Sequence, residues 1–114
     1  LEVDDGSGSI TVDNVRGDVM LDDGSGSITM INVGGEVEID DGSGSISVTT
    51  VGGDISINDG SGSIKVRGVT GTVTVDDGSG SIDVSDVGED LIIVDDGSGG
   101  LDFSNIAGRV ETDT

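Results

Sequence analysis

Asp4-Asp5-Gly6-Ser7-Gly8-Ser9-Ile10 is the stretch that decides the fold of this chain. The same seven residues return at Asp22, Asp40 and Asp76, and near-copies begin at Asn58 (Asn-Asp-Gly-Ser-Gly-Ser-Ile) and Asp95 (Asp-Asp-Gly-Ser-Gly-Gly-Leu). Successive starts lie 18, 18, 18, 18 and 19 residues apart. A fixed period this short belongs to a chain that stacks on itself, each repeat burying its apolar face against the next.

Counting each repeat from its first Asp, five positions are apolar. Position seven reads Ile10, Ile28, Ile46, Ile64, Ile82, Leu101, and position nine reads Val12, Met30, Val48, Val66, Val84, Phe103. Position twelve reads Val15, Val33, Val51, Val69, Val87, Ile106. Positions sixteen and eighteen follow the same rule, from Val19 and Leu21 onward, until Thr112 breaks it. Leu1 and Val3 fit positions sixteen and eighteen of a preceding coil. Apolar residues alternating with polar ones, most of them β-branched, mean short strands. Glycine at positions three and five of every repeat, and at position fourteen of all but one, supplies turns between them.

Each repeat therefore makes one coil of two strands and two turns. The expected architecture is all-β: a single domain over residues 1–114, folded as a flattened, two-sided parallel β-solenoid of about six coils starting at residues 4, 22, 40, 58, 76 and 95. Equivalent strands would pair in parallel at ~4.8 Å, giving a body roughly 30 Å long. Eighteen residues are too few for a propeller blade or a leucine-rich repeat, and the hexapeptide pattern of a triangular left-handed helix is absent. The 19-residue spacing calls for one extra residue in the fifth coil, within Gly88–Val94, absorbed as a bulge.

Composition narrows the function. Twenty-four acidic residues against four basic ones give a net charge of −20. Nucleic acid and anionic lipid surfaces are poor partners for such a chain, because both require a basic face. No apolar run approaches the ~20 residues of a spanning helix, so membrane insertion is not expected. His and Cys are absent, which leaves zinc, copper and haem without their usual ligands.

In-register stacking places like on like. Position one gives Asp4, Asp22, Asp40, Asn58, Asp76 and Asp95; position two gives Asp5, Asp23, Asp41, Asp59, Asp77 and Asp96. On this reading eleven carboxylates line one edge. Neighbouring charges at ~4.8 Å repel by about 0.9 kcal/mol in water and about 3.5 kcal/mol at an effective dielectric of 20. A row of Ca²⁺ ions between successive turns would remove that repulsion, with these twelve side chains, the Ser at position four and turn carbonyls as oxygen ligands. The competing reading is that Asp-Gly and Ser-Gly are good turn formers whose charges remain hydrated.

Catalysis is not expected. A catalytic site must differ from its copies in the repeat, and only Asn58, Lys65-Val66-Arg67, Glu89 and Arg109 depart locally, without a mixed acid–base–nucleophile set. The position-eight row (Thr11, Thr29, Ser47, Lys65, Asp83, Asp102) begins like an ice-binding ladder and then becomes charged.

Repeated Gly-Ser-Gly-Ser-Ile-x-Val followed by Val-x-Gly-Asp-Val resembles the adhesin-like β-solenoid domains of bacterial envelope proteins. The resemblance covers essentially the whole chain. It implies a right-handed solenoid, an extracellular or bacterial cell-surface location, and a structural or adhesive role without enzymatic activity. The expected function is thus a surface solenoid stiffened by calcium, able to form filaments by end-to-end stacking of identical chains and to meet a surface or polysaccharide ligand. An ice- or mineral-binding surface and a carbohydrate-active enzyme are the alternatives.

Overall fold

The computed structural model describes residues 2–95 and 99–112. It contains thirteen strands among the described residues: β1 (Glu2–Asp5), β2 (Ile10–Val15), β3 (Val19–Asp23), β4 (Ile28–Val33), β5 (Val37–Asp41), β6 (Ile46–Val51), β7 (Ile55–Asp59), β8 (Ile64–Val69), β9 (Val73–Asp77), β10 (Ile82–Val87), β11 (Leu91–Asp95), β12 (Leu101–Ile106) and β13 (Val110–Thr112). Odd-numbered strands form one parallel sheet in the order β1-β3-β5-β7-β9-β11-β13, and even-numbered strands form the other, β2 through β12. The protein is a β-solenoid of about six coils, as the period requires. Its extents are 32 × 31 × 15 Å, a slab two sheets thick. No helix of the described residues is long and apolar enough to cross a membrane.

Register is one repeat per step. Ile28 pairs with Ile10 and Ile46, and Ile39 with Leu21 and Ile57. Backbone hydrogen bonds continue through the turns from coil to coil, as from the Ile46 amide to Ser63 O at 2.8 Å. The core is a thin aliphatic layer between the sheets, made of positions seven, nine and twelve from one side and sixteen and eighteen from the other. In the last coil, β12 has a strand neighbour on one side only among the described residues, and Phe103 at position nine is 43% exposed.

Strict alternation along β4 would turn positions seven, nine and eleven inward. The structure instead buries Ile28, Met30 and Val33, with Ile31 and Asn32 both exposed. The cause is a left-handed residue at position eleven, with φ of 58° at Asn14 and Asn32, 63° at Thr50, 74° at Gly68, 57° at Asp86 and 54° at Asn105. Asn, Asp and Gly tolerate that conformation best. It resets the alternation by one residue, so that position twelve closes the corner of the core. The Asn32 side-chain amide also donates to Asn14 Oδ1 at 3.2 Å, and that of Asn105 donates to Asp86 Oδ1 at 3.1 Å.

The extra residue of the fifth coil is Val94. Ile93 pairs with Val75 and Asp95 with Asp76, which leaves Val94 bulged out and 45% exposed. The bulge restores the register of the acidic turn without disturbing the buried Ile93.

Candidate functional site: an inward aspartate column

The acidic turn begins inside a strand, and that decides where its two carboxylates point. Strands β3, β5 and β7 alternate buried and exposed residues through to their last position. Position one falls on the outer face: Asp4, Asp22, Asp40 and Asn58 are exposed and Asp76 is half-buried. Position two falls on the inner face. Asp23, Asp41 and Asp59 are each 1% exposed, and Asp77 is fully buried. Asp96 lies outside the described residues, and of Asp5 and Asp95 only the backbone is described.

The single acidic edge expected from the sequence is therefore two rows on opposite sides of one sheet. Pairing keeps each row in register, Asp22 beside Asp40 and Asp23 beside Asp41 beside Asp59. Two carboxylates that point to opposite faces of a strand cannot converge on one ion. In the coils from Asp22 to Asp77, where both side chains are described, the pair of ligands on which the calcium expectation rests is not brought together.

What the inward carboxylates do locally is clear. One oxygen of each accepts the amide two residues on: Ser25 N to Asp23 Oδ1 at 3.3 Å, Ser43 N to Asp41 Oδ1 at 3.3 Å, Ser61 N to Asp59 Oδ1 at 3.2 Å and Ser79 N to Asp77 Oδ1 at 3.2 Å. This side-chain turn closes the Gly-Ser-Gly corner. The second oxygen is different. Oδ2 of Asp23, Asp41 and Asp59 is buried with no hydrogen-bond partner.

Electrostatics follow from that burial. Removal from water raises the Asp41 carboxyl from an ordinary 3.8 to about 6, assisted by the like charges of Asp23 and Asp40 and opposed by the Ser43 amide. The Asp59 carboxyl rises to about 7, again chiefly through burial, then through Asp41 and Asp77, against the Ser61 amide. Relief from basic side chains is lacking, since Arg16, Lys65, Arg67 and Arg109 are all exposed.

A third set of acids was not singled out by the sequence. Asp18, Asp54 and Asp90 at position fifteen each accept the backbone amide of the equivalent residue in the next coil, Glu36, Thr72 and Arg109, at 2.9 Å. These bonds tie the coils together in pairs. The legible signal was Asp at that position in every second repeat, a 36-residue period laid over the 18-residue one.

Among the described residues, the outer faces carry no buried carboxylate. Sheet register aligns Thr11, Thr29, Ser47, Lys65, Asp83 and Asp102 as one mixed row. Glu36, Glu38 and Asp54 line an open groove on the other sheet with Met20, which is 51% exposed. No family model, curated protein or solved structure matches this chain.

Proposed function

We propose that this protein is a non-enzymatic structural β-solenoid, a stiff acidic slab used as a spacer or adhesive element at an extracellular or bacterial surface. The observation that carries this reading is the uniformity of the coils. From β3 to β10 each coil presents the same inward set and the same turn geometry, and the two acidic rows run through all of them but for Asn58 in the outer one. Such a body gains length by adding coils rather than by elaborating one site. The edges of β1 and β2 at one end, and of β12 and β13 at the other, have a strand neighbour on one side only among the described residues. A further coil, from a second copy or another segment, would continue both sheets there.

The test is physical. Sedimentation and negative-stain microscopy from about 1 to 100 μM should show slabs one chain long, or multiples of that length, and incubation with acidic or neutral polysaccharides should yield no new reducing ends. Catalytic turnover of any such polymer, abolished by substitution in one coil alone, would overturn the structural reading.

A further inference from the structure

Asp23, Asp41 and Asp59 lack the two things that normally make a buried carboxylate tolerable. No cation faces them: the neighbours along the axis are other aspartates, the adjoining position-one residues are acidic or Asn58, and the buried rows of the opposite sheet, such as Ile28, Met30, Ile46 and Val48, are aliphatic. Nor is the hydrogen bonding complete, since Oδ2 of Asp23, Asp41 and Asp59 is buried and unmatched. An ionised column at strand spacing would stack like charges out of water, which is costly.

A metal would need a cage. Calcium takes six to eight oxygens, and one unmatched carboxylate oxygen from each of Asp23, Asp41 and Asp59, with Asp22 and Asp40 turned to the outside, falls well short. A proton needs one oxygen, adds no volume and converts an unmatched acceptor into a donor.

We propose that the inward aspartate column, centred on Asp41 and Asp59, is a proton-binding site, and that proton uptake from solvent sets the cohesion of the solenoid. In each such step a carboxylate oxygen gains a proton and the group passes from −1 to neutral. The raised affinity of Asp41 and Asp59 for protons gives the direction. In the folded state these groups hold protons to about pH 6 and 7, whereas in the unfolded chain they lose them near 3.8. The folded state therefore binds more protons between those limits. As far as these groups are concerned, stability is full below about pH 3.8, falls as pH rises toward 7, and levels off above it. Each group changes the folding equilibrium constant roughly a hundredfold or more across that window.

The experiment measures the urea midpoint of the whole chain from pH 4 to pH 9 at constant ionic strength, with EDTA or with millimolar Ca²⁺. It compares the natural sequence, D41N/D59N, and D22N/D40N, which removes the same two charges from the outer face. The natural protein should lose stability between pH 4 and 7 in either medium, D41N/D59N should flatten that slope, and D22N/D40N should keep it. An unchanged slope in D41N/D59N would refute the proposal. So would a saturable Ca²⁺ stabilisation at neutral pH that D41N/D59N abolishes, since that result assigns the column to metal. Should D41N/D59N fail to fold, infrared spectroscopy of the natural protein decides. At pH 6 a protonated-carboxyl carbonyl band should persist when exposed acids are ionised, and its absence overturns the assignment.

Discussion

Substituting Gly44 by Ala tests the stacking of the coils directly. Gly44 has φ of +120°, a conformation that L residues with a side chain rarely adopt, and a Cβ there would fall on the carbonyl oxygen of Gly26 in the preceding coil. Backbone strain of this kind costs about 1–3 kcal/mol. Relieving the overlap means moving the turn, which puts at risk the bonds from Gly44 N to Ser61 O at 3.1 Å and from Ile46 N to Ser63 O at 2.8 Å. At about 0.5–1.5 kcal/mol for each bond, the expected loss is roughly 2–6 kcal/mol. Two controls carry the same kind of change without the same cause. Gly17 has nothing within 4 Å of a would-be Cβ, and Gly17→Ala should be neutral or stabilising by up to about 1 kcal/mol. Gly68 sits at the left-handed position eleven, where other coils have Asn, and its nearest neighbour to a Cβ is Thr50 N at 3.6 Å, so Gly68→Asn should stay within about 1 kcal/mol. The assay is urea unfolding followed by far-UV circular dichroism, since the chain has no Trp or Tyr to report by fluorescence. Equal losses in Gly44→Ala and Gly17→Ala would refute the claim that coils lie in register at that turn.

Other outcomes follow from the same geometry. Ile57→Ala, in the middle of the core at 1% exposure, should cost about 2–5 kcal/mol, whereas Ile31→Ser on the outer face, at 37% exposure, should change the unfolding free energy read from urea curves by no more than about 0.5 kcal/mol. Asp54→Ala removes the acceptor of the Thr72 amide; hydrogen exchange at Thr72 should accelerate, with a global loss of about 1 kcal/mol. Replacing Asn32 by Val places a β-branched residue at φ of 58° and should destabilise by about 1–3 kcal/mol, read from the same urea curves.

Much of the fold was legible because the repeat states it several times. Positions seven, nine, sixteen and eighteen alternate with polar neighbours, and the structure buries them in that order from β3 to β10. Position twelve was legible as apolar but not as a consequence of anything, because period two predicts the wrong parity there. The reason is the left-handed residue before it, and Asn14, Asn32, Asp86 and Asn105 were the signal. The candidate site was only half legible. Adjacent Asp residues read as one acidic edge when the turn is taken to start at the first Asp, yet β3, β5, β7 and β9 all run on through the second.

The sequence alone determined the parallel stacking, since an 18-residue period with fixed apolar positions can bury its aliphatic faces only by placing each coil on the last. It also determined that like acids become neighbours. Which way those acids face was decided by the tertiary structure. A carboxylate's side of a sheet depends on where the strand ends, and the strand ends where backbone pairing to the next coil ends, a property of the stack and not of any one repeat. That single residue of strand carries Asp23, Asp41, Asp59 and Asp77 out of solvent and into the core.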